Sequence, residues 1–375
     1  MEHAEGLRKT ARLDCAGGGQ VVVDGHFAYI GHMDPGVGTS IADVSDPLNP
    51  HIVAQVPVAP GFHSHKVRAA NGLMLVNREL VNKAAAPTGV RGGLGIYDIS
   101  NPAQPREITH WSCGGTGVHR FTFDGRYAYL SPELDGYLGN IVMILDLIDP
   151  VHPREIGRWW LPGQWIAGGE TPTWNGRAHR CHHPIRYGNR LFVSYWHGGI
   201  VILDISDMSR PVMVSRINWS PPFPWPSHSA VPIPQPIYGR QWMIVADEDV
   251  DRLQPDPAPE MSAFIWFVDI TDETRPTPVS SFQVDGLHGK RNPDMTGCHQ
   301  PVETIIGSDV PVAWFSQGLR IIDFSNPMRP RQTACYMPEP ADSEKRVSSN
   351  DVFVDSRGLI YLIDRIGGLT ILERT

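Results

Sequence analysis

Val201–Ile202–Leu203–Asp204–Ile205–Ser206–Asp207 is an apolar run, an aspartate and then a polar turn, and its recurrence decides the fold. The unit returns as Ile41–Ala42–Asp43–Val44–Ser45–Asp46–Pro47, Ile96–Tyr97–Asp98–Ile99–Ser100–Asn101–Pro102 and Ile321–Ile322–Asp323–Phe324–Ser325–Asn326–Pro327. Two further copies are centred on Asp146 and Asp269. The six aspartates stand 55, 48, 58, 65 and 54 residues apart, room for one four-stranded unit with variable loops. A period of that size is the mark of a repeat architecture. The aspartates themselves read as structural, because a carboxylate at this position accepts from the N–H groups of the turn that follows.

A hairpin precedes each such strand. Val21–Val22–Val23–Asp24–Gly25–His26–Phe27–Ala28–Tyr29–Ile30 and Phe121–Thr122–Phe123–Asp124–Gly125–Arg126–Tyr127–Ala128–Tyr129–Leu130 show it most clearly. Asp-Gly at the bend tolerates the positive φ that tight hairpins need. An outer strand follows each unit, as in Arg106–Glu107–Ile108–Thr109–His110–Trp111. Six complete units can be counted; a seventh begins at Val352–Phe353–Val354 and stops after Leu372 without its outer strand. The segment Arg8–Leu13 is a strand without a unit of its own. The reading is therefore all-β: a single domain over residues 1–375, a seven-bladed β-propeller closed by an N-terminal strand completing the last blade. Closure removes exposed strand edges and covers apolar faces, which a linear stack of sheets would leave in water.

From Val21 to Leu372 these units resemble the LVIVD-repeat proteins, a β-propeller group named after the apolar strand and its aspartate. The resemblance implies the fold and leaves activity open, since propellers host unrelated functions.

Composition agrees with many short strands. Gly (37) and Pro (34) together approach a fifth of the 375 residues, against roughly 12% in average proteins. A net charge of -8 and the lack of a basic stripe with aromatics argue against nucleic-acid binding. The first twenty residues hold no apolar signal-peptide core and no stretch is long enough to span a bilayer, so the expectation is a cytoplasmic protein without a membrane partner. Five scattered cysteines read as thiols. Trp159–Trp165 and Trp219–Pro226 are aromatic loops suited to a lid or to a contact between identical subunits, and the acidic run Glu248–Glu260 reads as a protruding loop.

Aligning the units on their hairpins exposes the chemistry. Just before the innermost strand they carry Gly19, His65, His119, His183, His228, His299 and Asn350. The innermost strand of a propeller blade faces the axis, so imidazoles from several blades can converge on one ion. Neutral imidazole suits Fe, Cu, Zn, Ni or Mn. His65, His119, His183, His228 and His299 are the expected metal ligands, with His182 as an alternative to His183 and His63 sharing the face of His65. A satisfied polar network is the alternative role for the cluster. At the far end of the hairpin stand Glu79, Glu133, His197, Glu248 and Gln317. Carboxylates there can orient ligand histidines or transfer protons. Glu133, Glu248 and His197 are the catalytic candidates.

In site design alone the pattern resembles carotenoid-cleavage oxygenases, propellers in which four histidines hold iron with glutamates behind them, and more distantly selenium-binding proteins. That resemblance implies a transition-metal cofactor, iron first, with Cu, Mn or Zn as alternatives. The functional expectation is a metal-dependent enzyme, an iron or copper oxidoreductase, acting on a small molecule in the channel. A metal-dependent lyase or hydrolase, or a noncatalytic protein-binding scaffold, are the alternatives.

Overall fold

The computed structural model describes residues 2–249, 261–285, 287, 297–341 and 346–375. The loop expected to follow Glu248 lies outside the described residues from position 250 on. Among the described residues the regular structure is β-strand apart from one 3₁₀ turn, Ile166–Gly168. No helix among them is long and apolar enough to cross a membrane.

The strands form curled antiparallel sheets in the propeller-like manner. Gly18–Asp24, Phe27–His32, Thr39–Asp43 and His51–Val56 pair in chain order as one four-stranded sheet. The other sheets hold four, five, eight and nine strands. Where strands are buried on both faces, as in Val142–Asp146, the sequence is a continuous apolar run rather than an alternating one. The reason is stacking: Tyr129 and Ile144 of one sheet pack on Leu191, Val193 and Val201 of the next. Outer strands such as His51–Val56 face solvent and alternate less strictly.

All six repeat aspartates do the turn-closing work. Asp43, Asp98, Asp146, Asp204, Asp269 and Asp323 each accept from the backbone N–H two residues on, at 2.8–3.0 Å. They cap turns and lie away from any cavity chemistry. At the chain ends, Leu7–Leu13 pairs antiparallel with Gly368–Arg374, beside Ile360–Asp364 and Ser349–Val354. His3–Glu5 adds to the outer strand Arg331–Met337.

One irregularity positions the site. The inner strands slip register between Gly18 and Gln20, Val118 and Arg120, Ser227 and Ser229, and Ser349 and Asp351. Each slip leaves one residue unpaired: Gly19, His119, His228 and Asn350. A third histidine, His182, lies within the slip between His179 and His183. A bulge turns an extra side chain out of the ladder's alternation, and here it turns it into the centre.

Candidate metal centre

A cavity of about 620 Å³ opens where these bulges meet, lined by His63, His65, His119, His182, His228 and His299 together with Glu79 and Glu248. The imidazoles form an arc, with ring centroids 5.2 Å apart from His65 to His119, 5.0 Å to His182, 4.5 Å to His228 and 4.1 Å to His299.

Hydrogen bonds assign the tautomers. His119 Nδ1 lies 2.9 and 3.0 Å from the Glu79 carboxylate oxygens, His182 Nδ1 lies 2.9 Å from the His228 carbonyl, and His299 Nδ1 lies 2.5 Å from the Asn350 carbonyl. These partners only accept, so each Nδ1 carries the hydrogen and each Nε2 keeps its lone pair. His119 Nε2 and His182 Nε2 then face each other at 3.2 Å with neither able to donate. Two lone pairs at that separation repel, and a cation between them reverses the sign. Two imidazoles on one tetrahedral zinc, with bonds of about 2.0–2.1 Å, bring their nitrogens to about 3.3 Å. The pair is spaced for an ion.

His65 and His228 are built differently. Asn77 Oδ1 accepts from the Lys66 N–H at 2.7 Å and its Nδ2 donates to the Val118 carbonyl at 3.0 Å, so the same amide nitrogen donates to His65 Nδ1 at 3.0 Å. His65 therefore carries its hydrogen on Nε2. His228 Nδ1 sits 2.8 Å from Ser229 Oγ while Arg120 Nη1 donates to its Nε2 at 3.1 Å. Distance alone gives other groupings: the donors of His63, His65 and Glu79, and those of His182, His228 and Glu248, each lie within 4.8 Å of one another. A third group, His3, Glu5 and Cys335, lies at the outer sheet edge. Distance and hydrogen bonding agree on His182; at His65 and His228 the hydrogen bonds compete with a metal, because a lone pair already accepting a bond is a poor ligand.

Burial holds the imidazoles neutral. Desolvation takes His65, His182, His228 and His299 well below the usual histidine range, and takes His119 to about 4 against the opposing pull of Glu79. Neutral imidazole is the form that binds metal. Burial alone would raise Glu79, but His119 and His63, the latter with Nε2 at 2.8 Å, outweigh it and hold the carboxyl low. Burial raises Glu248 despite Arg365 and Arg120. Its Oε1 stands 3.5 Å from His299 Nε2, and its Oε2 3.9 Å from His228 Nε2.

Four of the five histidines expected as ligands, His65, His119, His228 and His299, line this cavity, and His183 does not. His182 takes that place, because the register slip turns it inward and strand alternation turns its successor away. His183 is fully buried, with Nδ1 3.2 Å from Ser229 Oγ and Nε2 3.2 Å from Glu303 but out of line for a full hydrogen bond. Gly19 has no imidazole for a steric reason: a Cβ there would lie 2.8 Å from the His65 carbonyl oxygen and from Met33 Sδ. Its carbonyl serves instead, accepting from Lys66 Nζ at 2.9 Å and Asn350 Nδ2 at 2.6 Å.

Among the catalytic candidates, Glu248 lines the cavity while Glu133 and His197 do not. Glu133 accepts from Thr116 Oγ1 at 2.7 Å beside Gly117, and His197 lies under a loop with Nδ1 3.2 Å from Ser220 Oγ. Arg180, Arg365 and Trp196 also line the cavity, and Phe315 stacks at its edge. Sequence reasoning missed all four, although Trp196 and Phe315 each stand three residues before a glycine of the repeat, Gly199 and Gly318.

With this geometry in place, comparison with known proteins bears on the fold. The LVIVD repeat family matches residues 18–57, 89–111, 186–218 and 310–337. The chain carries LVIVD repeats. The matched stretches hold the repeat aspartates Asp43, Asp98, Asp204 and Asp323, so the LVIVD unit coincides with the turn-capping geometry above. Among solved structures the chain is similar to the WD40 repeats of RRP9, at 8% identity with a TM-score of 0.65 and all of both chains covered. It is also similar to the β-propeller domain of Myceliophteria thermophila Cps50 (Swd1), at 13% identity and a TM-score of 0.58, covering 98% of this chain and 100% of that one. The structure of U3-55K matches at 8% identity and a TM-score of 0.61, with 98% of each chain covered. At such identities the likeness concerns fold alone. No curated protein matches the chain.

Proposed function

We propose that this LVIVD-repeat chain is a metal-dependent enzyme acting on a small organic molecule in the channel of a seven-bladed propeller. Two pairings support the blade count. The nine- and eight-stranded sheets are each held together in the middle by a single residue pair, Glu79 with Gly117 and Trp196 with Ser227, so each divides into two blades. The pairing of Leu7–Leu13 with Gly368–Arg374 supports closure by the N-terminal strand within one domain.

The facing lone pairs of His119 and His182 carry the functional reading. His119 and His182 would hold the ion, with His228, His299 and Glu248 beside them and Glu79 fixing the tautomer of His119. A transition metal there supplies a Lewis acid and, as iron or copper, a redox centre; iron is the first choice, followed by Cu, Mn and Zn. Two imidazoles would leave positions for a further protein ligand and for substrate or water. Glu248, buried at the cavity wall with a raised pKa, is the group suited to pass a proton to or from the substrate. An oxidoreductase is favoured over a lyase or hydrolase only by likeness of site design.

Elemental analysis after gentle purification tests the premise. About one equivalent of transition metal in the native protein, lost in H119A and H182A and kept in H183A, is the expected result. A protein without stoichiometric metal and unable to take one up would overturn it in favour of a polar network inside a scaffold.

A further inference from the structure

The N-terminal segment joins two sheets within a few residues. His3–Glu5 pairs antiparallel with the outer strand Arg331–Met337, and Leu7–Leu13 pairs with Gly368–Arg374 of another sheet. Gly6 makes the crossing at φ 66°, where a Cβ would lie 3.0 Å from Ala334 Cβ. Three residue pairs hold His3–Glu5 in its ladder, against about five or six for an ordinary strand.

The register gathers a distinctive set of side chains on one face of that junction. Alternation sends His3 and Glu5 to the same side, and Glu5 stands directly opposite Cys335. A ring nitrogen of His3, a carboxylate oxygen of Glu5 and Cys335 Sγ all lie within 4.8 Å of one another. Ligand atoms on one tetrahedral zinc, with bonds of about 2.0–2.3 Å, stand about 3.3–3.6 Å apart. Small rotations of His3 and Glu5, both exposed, close the set onto an ion, while Cys335 is buried in the sheet beneath them. Among the described residues neither His3 nor Glu5 has a side-chain hydrogen bond or ion pair to give up.

The donor types select the ion. Imidazole, carboxylate and thiolate together suit zinc, whereas calcium and magnesium take oxygen ligands. Arg320 meets the Cys335 thiol from the strand on its other side. The Glu5 carboxylate and a ligand thiolate outweigh that one guanidinium, so the site stays net negative for an entering cation.

We propose that His3, Glu5 and Cys335 form a zinc site, separate from the imidazole arc, that fastens the N-terminal strand to its sheet. Its ligands come from opposite ends of the chain and meet only in the folded protein, so zinc bound here stabilises the fold.

Cobalt(II) titration of the full chain, reduced and stripped of metal, tests the site. Cobalt takes zinc's ligands, and a thiolate bound to it gives a near-ultraviolet charge-transfer band. No cysteine among the described residues lines the imidazole cavity, so the band reports the Cys335 site apart from the arc. Two exposed ligands let the ion exchange freely, so titration, rather than metal retained through purification, counts this equivalent. The expected result is one equivalent of band-forming cobalt, displaced by zinc and absent in C335S. Binding should weaken at least about ten-fold in H3A and in E5Q. Zinc should also raise the thermal unfolding midpoint further in the unaltered chain than in C335S. No band in the unaltered protein, the same band in C335S, or unchanged affinity in both H3A and E5Q would overturn the proposal. The first of these outcomes requires no variant to fold.

Discussion

His182 and His183 are neighbours in the chain with opposite surroundings. His182 belongs to the imidazole arc, with Nε2 directed at another lone pair in an open cavity. His183 belongs to a second layer one residue further along each inner strand: Gln20, Lys66, Arg120, His183, Ser229, Gln300 and Asp351, all buried. In that layer the groups are tied to one another. Arg120 donates to Gln300 Oε1 and to His228 Nε2, Ser229 donates to Gln300 Oε1 at 3.0 Å, and Glu303 lies 2.5 Å from Arg68 Nη2 and 3.7 Å from Arg120 Nη2. In the arc, His119 Nε2 and His182 Nε2 face each other with no hydrogen between them; in the other layer most donors and acceptors are used, Arg120 Nε and His183 Nε2 excepted. A polar group left unpaired in a low-dielectric interior is costly, so the facing pair is the place where a cation would complete the arc, and the second layer is its floor.

Substitutions can break that contrast. The largest effect is expected for H182A, which should abolish metal uptake while H183A leaves about one equivalent bound, read by elemental analysis. If both variants lose metal equally, the two layers are not separate. R120M removes the donor to Gln300 Oε1 and His228 Nε2 and leaves Glu303 to Arg68 alone, and should cost about 3–5 kcal/mol in denaturant unfolding, as for loss of a buried charged partner. E79Q removes the anchor of the His119 tautomer without emptying the arc. A fall of about 10–100-fold in metal affinity is expected by competitive chelator titration, with little change in unfolding. H183A is the smallest: about 1–3 kcal/mol of stability through the unpaired neighbours it leaves, with metal affinity unchanged. Unfolding and metal affinity moving together across this series would count against a division between site and floor.

Much of this was legible beforehand and some of it could not be. The aspartate unit announced the turns because its hydrogen bonds span two residues and need no distant partner. His65, His119, His228 and His299 were recognised as a set because each stands at the same offset from a hairpin. That same offset favours His183 over His182, and offset counting fails wherever a strand carries an extra residue. Glu133 and His197 shared the position of Glu248 in the repeat, but Thr116 and Ser220 engage them outside the cavity.

The amino-acid order alone specified the repeat, its strands and turns, and a histidine in nearly every unit, since alternation and turn chemistry act over a few residues. Only the tertiary structure decided which imidazole nitrogen is left without a hydrogen, which of two adjacent histidines faces the cavity, and which arginines meet it. Those choices depend on a bulge formed against a neighbouring strand, on a carbonyl or carboxylate from another strand distant in sequence, and on Trp196 and Phe315 holding a backbone shape that no local preference favours.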